Sequence, residues 1–250
     1  MTDDDNPFAS SSHEMPIGPA GEGTREPVSM DVGAVFGRAW ELLLEEPVVV
    51  LGAAFIPLIL SLLVGVPQGL ADVYFETVDD ESLRLGWTLI SMVLSIGSGL
   101  ICIFFMIGQV RIYASLAFGR PASLGMLVGG LRYFLPTILA YIVLGFGTLI
   151  GLLLFIVPGI IFALGMQMVF YAVVIEELGP IDALRRSWEL TDGNKLNIFV
   201  IVLVSGIGAL FAACVTCGIG YLLAIPLLSL IQGVMYHSLA SEHPDVSDLV

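Results

Sequence analysis

The stretch that decides the fold is "YFLPTILAYIVLGFGTLIGLLLFIVPGIIFALGMQMVFYAVVI", residues 133–175, which lies uncharged between Arg132 and Glu176. These 43 residues would reach about 65 Å as one α-helix. That is roughly twice the hydrocarbon thickness of a bilayer, about 30 Å. The chain must therefore fold back, and Pro158 with Gly159 is a turn signal. The stretch predicts two membrane-spanning helices joined near residues 157–159.

Three other uncharged runs repeat this pattern, with 25 residues after Glu46, 26 after Arg84 and 46 after Lys195. One helical span needs about 20 apolar residues, so the runs hold one, one and two spans. We expect the last run to turn at "CGIG", residues 217–220. Only 13% of the residues are charged, against about a quarter in soluble domains. The sequence therefore predicts an all-α polytopic membrane protein with six transmembrane helices.

The basic residues predict the orientation of these helices. With six spans, eight basic residues fall on the side that holds both termini, and Arg84 alone falls on the other side. Cytoplasmic loops carry an excess of Lys and Arg. We therefore expect a protein integral to the cytoplasmic (inner) membrane with both termini in the cytosol. The eight residues are Arg25, Arg38, Arg111, Arg120, Arg132, Arg185, Arg186 and Lys195.

Composition divides the chain into three parts. Residues 1–28 are rich in Ser, Gly, Pro and acidic residues and predict a disordered acidic cytosolic tail. Residues 29–240 form the predicted six-helix transmembrane domain, and residues 241–250 form a short cytosolic carboxyl-terminal tail. The net charge of −14 argues against a nucleic-acid partner, because phosphate backbones attract basic surfaces.

A short amphipathic helix is predicted before each of three helical hairpins. The segment Arg38-Ala39-Trp40-Glu41-Leu42 matches Arg186-Ser187-Trp188-Glu189-Leu190, and each precedes a span. Residues 127–136, "LVGGLRYFLP", occupy the equivalent position before the third span. We therefore predict three tandem units, each made of an interfacial helix and a two-span hairpin.

These helices carry the residues that we expect to contact lipid headgroups. Trp is favoured at headgroup depth, and an Arg near an anionic membrane surface gains about 1 kcal/mol. Pairing of Arg186 with Asp182 or Glu189 on its own helix is the alternative, at about 0.3–0.5 kcal/mol per pair. The predicted interface residues are Arg38, Trp40, Arg132, Arg185, Arg186 and Trp188.

Residues 155–200 resemble the YciC-like inner-membrane proteins and the membrane domain of some glycerophosphoryl diester phosphodiesterases. The shared pattern is Pro-Gly opening a span, an acidic pair at its end, an Ala-Leu-x-x-Ser-x-x-Leu helix, and Gly-Asn. The matching residues are Pro158, Gly159, Glu176, Glu177, Ala183, Leu184, Ser187, Leu190, Gly193 and Asn194. The resemblance implies structural roles for these residues and an inner-membrane location. The chain has no soluble phosphodiesterase domain, so no reaction is implied.

Catalytic, cofactor and metal sites are not predicted. Of the three histidines His13, His237 and His243, no two lie together deep in a predicted span, so no metal site is expected there. We interpret the Glu176–Glu177 pair as the solvated end of a span. Cys214 and Cys217 form a CxxC pair, but their apolar setting favours packing over redox chemistry.

Two functions fit this pattern. The first is a non-catalytic membrane protein that organises or binds membrane lipids, a protein partner or a second copy of itself. The second is a transporter or channel-like protein for a neutral or lipid-like solute, because the polar residues predicted inside spans, such as Gln167 and Gln232, are uncharged.

Overall fold

The computed structural model describes residues 30–154 and 156–242. The predicted amino-terminal tail and most of the predicted carboxyl-terminal tail lie outside the described residues. Every regular element within the described residues is helical. The prediction of an all-α fold is confirmed.

Nine α-helices follow one another along this part of the chain. Two 3-10 turns, Leu124–Val128 and Leu131–Tyr133, lie between the third and fourth. The helices are α1 (Val32–Glu45), α2 (Pro47–Glu76), α3 (Glu81–Ala117), α4 (Phe134–Leu154), α5 (Ile156–Gly165), α6 (Val169–Ile175), α7 (Pro180–Leu190), α8 (Lys195–Val215) and α9 (Ile219–Glu242).

Six segments in the described residues are long and apolar enough to cross a membrane. The α4 and α5 helices form a hairpin that turns just before Val157, and α8 and α9 form another that turns at residues 216–218. The second turn overlaps the predicted residues 217–220, whereas the prediction of a turn at residues 157–159 is wrong, because Pro158 and Gly159 lie in the first turn of α5, where proline is well tolerated. The segments are Pro47–Glu76, Glu81–Ala117, Leu124–Gly151, Val157–Ile175, Lys195–Val215 and Ile219–Ser241. Val157–Ile175, which combines α5 and α6, is span four below.

The bundle has two ends that differ in packing. We call the end at which α1 meets α2, and at which α3, α6 and α9 finish, the terminal end. The opposite end, where each hairpin turns, is the loop end. In α3 the buried residues all lie between Ile107 and Ala117, at its terminal end. The buried part of α2, residues 50–54, also lies there.

Close contacts hold the terminal halves together. A Cβ on Gly233 of α9 would lie 2.9 Å from the carbonyl oxygen of Tyr113 in α3, so only glycine lets these two helices cross so closely. The hydroxyl of Tyr113 donates to the carbonyl of Val50 in α2 at 3.4 Å. The Gln109 amide donates to the carbonyl of Ala53 at 2.9 Å. The core therefore joins α2, α3 and α9.

Two further details of the sequence prediction are wrong, and two helices are longer than the uncharged runs that predicted them. The α2 helix continues to Glu76, and α3 extends from Glu81 to Ala117, because a helix can continue past its apolar run. The unit before the third span is two 3-10 turns instead of an amphipathic α-helix, since Gly129 and Gly130 interrupt it. Cys214 and Cys217, which were expected to be packed, are free and exposed.

Candidate functional site

Span four is broken, and α7 fills the break. The α5 helix ends at Gly165 and α6 begins at Val169. In an unbroken helix the Met168 N–H would donate to the Leu164 carbonyl, four residues earlier. Instead it donates to Oγ of Ser187 in α7 at 3.1 Å. Backbone groups freed inside a membrane need such replacement partners.

The same hydroxyl also satisfies the other side of the break. Ser187 Oγ donates to the carbonyl oxygen of Gly165 at 2.8 Å. Oγ1 of Thr191, the residue that follows α7, lies 3.3 Å from that oxygen, and the side chains of Ser187 and Thr191 are fully buried. Ser187 therefore stabilises the break in span four. Thr191 was missed in the sequence because no local pattern marks it.

Trp188 packs against the break. A Cβ on Gly165 would lie 2.5 Å from Cε3 of Trp188, so the indole occupies the space that a side chain would take. The ring remains 39% exposed, and Nζ of Lys195 lies 4.2 Å from its centroid, close enough for a cation–π contact. Trp188 thus combines a packing role with an exposed edge.

A buried ion pair lies beside this helix. Nε of Arg186 donates to Oε2 of Glu176 at 2.9 Å, and the Tyr236 hydroxyl donates to Oε1 of the same carboxylate at 2.9 Å. The side chains of Arg186 and Glu176 are only 14% and 13% exposed. Glu176 is therefore not a solvated span end, and Arg186 points inward. Its distance to Glu189 is 3.8 Å, so the predicted pairing within α7 is the weaker contact.

Glu177 makes a second, more exposed connection. Its carboxylate pairs with Arg132 and accepts a hydrogen bond from the Tyr133 hydroxyl at 2.6 Å. The side chains of Arg132 and Glu177 are about half exposed. Glu177 has a φ of +56°, an uncommon conformation for a residue with a side chain. The adjacent acids thus hold different partners around the end of span four.

The remaining sequence-predicted residues are spread over the terminal and loop ends. Arg38 pairs with Glu41 at 2.7 Å, Trp40 is 53% exposed and Arg185 is exposed. Of the resemblance residues, Ala183 is fully buried and Leu184 packs against the core, Gly193 has a φ of +77°, and Asn194 precedes α8 as its N-cap. Pro158 and Gly159 lie in the first turn of α5.

An apolar groove opens between α1, α8 and α9. Its volume is about 420 Å³, and Trp40 and Leu43 line it from α1. From α8, small residues line it, including Gly208 and Ala212. None of its lining residues is charged. The volume falls within the range of small-molecule pockets, roughly 300–1,000 Å³.

A smaller, more polar pocket adjoins the groove. Its volume is about 220 Å³, and Gln167, Ser205 and Gln232 line it. Ser205 also lines the groove, so the two cavities meet at this residue. The Oγ of Ser205 and the Oε1 of Gln167 are buried and have no hydrogen-bond partner among the described residues. Sequence reasoning noted the two glutamines but missed Ser205, which looks like any small residue in an apolar run.

A third cavity, of about 540 Å³, lies between α2 and α3 at the loop end, where Asp72, Glu76, Glu81 and Arg84 line it. Nε1 of Trp87 donates to Asp72 at 2.6 Å, which fixes one of these acids. Nearby, Asp80 caps α3, and hydrogen bonds from the Ser82 hydroxyl and then from the backbone hold its pKa below the usual value.

Within the described residues, no group of three or more His, Cys, Asp or Glu side chains is placed to hold a metal ion. No curated protein and no solved structure matches the chain significantly. The profile of a domain of unknown function, DUF7847, matches residues 30–244. That match spans α1 to the end of α9, including the broken span, the buried ion pair and the groove. The chain therefore belongs to the DUF7847 family.

Proposed function

We propose that this protein is a non-catalytic protein of the cytoplasmic membrane that binds a lipid in the groove between α1, α8 and α9. The observation that carries the proposal is the groove itself, which is apolar, uncharged and bordered by the exposed indole of Trp40. An acyl chain fits such a lining, because the chain carries no polar group that would lose its hydration on binding.

The charge distribution supports the proposed orientation. Seven of the eight basic residues in the described segments belong to the terminal end, and Arg84 belongs to the loop end. By the positive-inside rule the terminal end then faces the cytosol. In that orientation α1 lies in the headgroup layer, with Trp40 at the depth that suits its ring. The resemblance to YciC-like proteins supports the same location.

Lipid binding in the groove can be tested with a variant whose side chain fills the groove. Gly208 lines the groove, and a Cβ built on it meets nothing within 4 Å, so Gly208→Leu places a side chain in open space. Gly97→Leu on α3 is the matched control, since Gly97 is equally open and does not line the groove. We expect native mass spectrometry to find several-fold less co-purified lipid on Gly208→Leu than on Gly97→Leu.

Equal lipid retention by the two variants would overturn the proposal. The same spectra report the mass of the assembly. A dimer that forms only when lipid is absent would favour a second copy as the occupant of the groove.

The second candidate function is transport of a neutral solute. The break in span four favours it, because interrupted helices form the substrate sites of many transporters. Gln167 lies in the break and lines the polar pocket. If the protein conducts small polyols, vesicles containing it should re-swell in a glycerol gradient faster than empty vesicles. Gly206→Leu, which fills the pocket, should abolish the difference.

A further inference from the structure

Two serines of the described residues, Ser205 and Ser238, have buried hydroxyls without a hydrogen-bond partner there, and of these two only Ser205 lines the groove and the polar pocket. The hydroxyls of Ser61, Ser229 and Ser241 each donate to the backbone carbonyl four residues earlier, the usual way in which a helix satisfies a serine. The hydroxyl of Ser205 makes no such bond, although the residue is only 8% exposed. Burying a hydroxyl without a hydrogen-bond partner inside a membrane is energetically unfavourable. The position of Ser205 at the junction of the two cavities therefore calls for a functional explanation.

Gln167 adds a second unsatisfied group to the same pocket. Its Oε1 is buried and has no partner among the described residues. Gln167 lies in the broken part of span four, whose geometry is fixed by Ser187. Its backbone position is therefore held independently of anything in the pocket, and the pocket presents hydrogen-bonding groups that are already in place.

The chemistry of these groups favours a hydroxyl ligand. A serine hydroxyl can donate or accept, and a glutamine amide presents one acceptor and one donating nitrogen. A ligand hydroxyl can likewise donate and accept, so it can satisfy both side chains at once. No residue that lines either cavity is charged. A phosphate or an ammonium group would therefore enter this apolar site without an opposite charge, which is strongly unfavourable.

We propose that the two cavities form one site for an uncharged, hydroxyl-bearing lipid of the diacylglycerol class. The hydroxyl end binds at Ser205 and Gln167, and an acyl chain lies in the groove that Ser205 also lines. The inference rests on the proposed lipid-binding function and adds the class of lipid and the residues that select it.

The test compares three probes on the purified full-length protein in nanodiscs. The probes are 1,2-dioleoylglycerol, its 3-O-methyl ether and dioleoylphosphatidylglycerol. We expect the wild-type protein to bind the free alcohol roughly tenfold more tightly than the ether, because the ether leaves a buried partner unsatisfied. We expect the anionic lipid to bind more weakly still.

Variants distinguish the contribution of the polar pocket to lipid binding from that of the apolar groove. Gln167→Leu, which removes the oxygen that accepts from the ligand hydroxyl, should reduce the preference for the alcohol over the ether severalfold. Ser205→Ala removes a donor to either ligand oxygen and should weaken binding of both neutral probes while leaving the preference unchanged. Gly208→Leu, which fills the groove, should weaken binding of both neutral probes. Equal binding of alcohol and ether to the wild-type protein, or equal binding of the anionic lipid, would overturn the inference but leave groove binding intact. Failure of every probe to bind would overturn the proposed function as well.

Discussion

The terminal and loop halves of the bundle are built in different ways. At the terminal end, side chains from α2, α3, α6 and α9 are buried against one another, and polar groups pair across helices. Towards the loop end, large apolar side chains are exposed, such as Leu89 of α3 and Phe146 of α4. The two halves are joined by continuous helices, so the contrast lies in how each half is solvated and packed.

The contrast shows where the structure is specified. Lipid tails solvate an apolar side chain about as well as another helix does, so burial gives little drive to pack spans together. The loop half can therefore stay loosely packed without cost. In the terminal half, charged and polar side chains pack between helices, and there a unique arrangement requires complementary contacts such as the Glu176–Arg186 pair.

The largest effect should come from the buried ion pair. Arg186→Gln leaves the carboxylate of Glu176 buried without its charged partner, and we expect a loss of about 3–5 kcal/mol in the free energy of unfolding. The matched control is Arg132→Gln, which removes the half-exposed pair with Glu177 and should cost about 1 kcal/mol or less. Titration with sodium dodecyl sulfate in mixed micelles measures both. Equal losses of unfolding free energy in the two variants would mean that the greater burial of Glu176 than of Glu177 does not affect stability.

A second prediction compares leucines from the two halves. Leu239 of α9 is fully buried, whereas Leu89 of α3 is 66% exposed. Leu239→Ala should lower the free energy of unfolding by about 2–5 kcal/mol, because it leaves a cavity. Leu89→Ala removes only lipid contact and should change it by about 0.5 kcal/mol or less. The same titration measures both variants. A large loss for Leu89→Ala would show that the loop half packs against something further.

Run length was enough to predict the six spans and the turn between α8 and α9, but it did not fix the exact position of the turn between α4 and α5. The break in span four was not predictable, because "ALGMQMVF" at residues 163–170 is as apolar as the helix around it. What stabilises the break is Ser187, 22 residues later. Local periodicity carries no information about a partner so distant in sequence.

The interpretation of Glu176 as the solvated end of a span is wrong for the same reason, namely that its partners are distant in sequence. A charged residue that closes an apolar run normally meets water. Here its partners Arg186 and Tyr236 lie 10 and 60 residues away, so only the folded bundle shows that the carboxylate is buried. The lining of the two cavities was hidden in the same way, since it draws on α1, α8, α9 and span four together.

The smallest effect is expected at the loop end and depends on pH. The pKa of Asp80 is lowered in the folded protein, first by the Ser82 hydroxyl and then by backbone N–H groups. A lowered pKa means that the ionised cap stabilises the start of α3 at neutral pH. This contribution is lost as the pH falls through and below the usual aspartate range, near about 4.

Hydrogen exchange at the Ser82 and Leu83 amides measures this change. After correction for intrinsic exchange rates, protection should fall in acid while the terminal half stays protected. Asp80→Asn keeps a capping oxygen but does not titrate, so its protection should be independent of pH. An identical acid response in this variant would remove Asp80 as the cause.

The filled break in span four has a consequence for how the chain is made. Synthesis proceeds from the amino terminus, so α5 and α6 leave the ribosome before Ser187 and Thr191 exist. Until α7 folds back, the Gly165 carbonyl and the Met168 N–H lack their native partners, and span four is an incomplete membrane helix. We therefore expect the fourth crossing to reach its native structure only after the segment leading to the fifth has emerged from the ribosome.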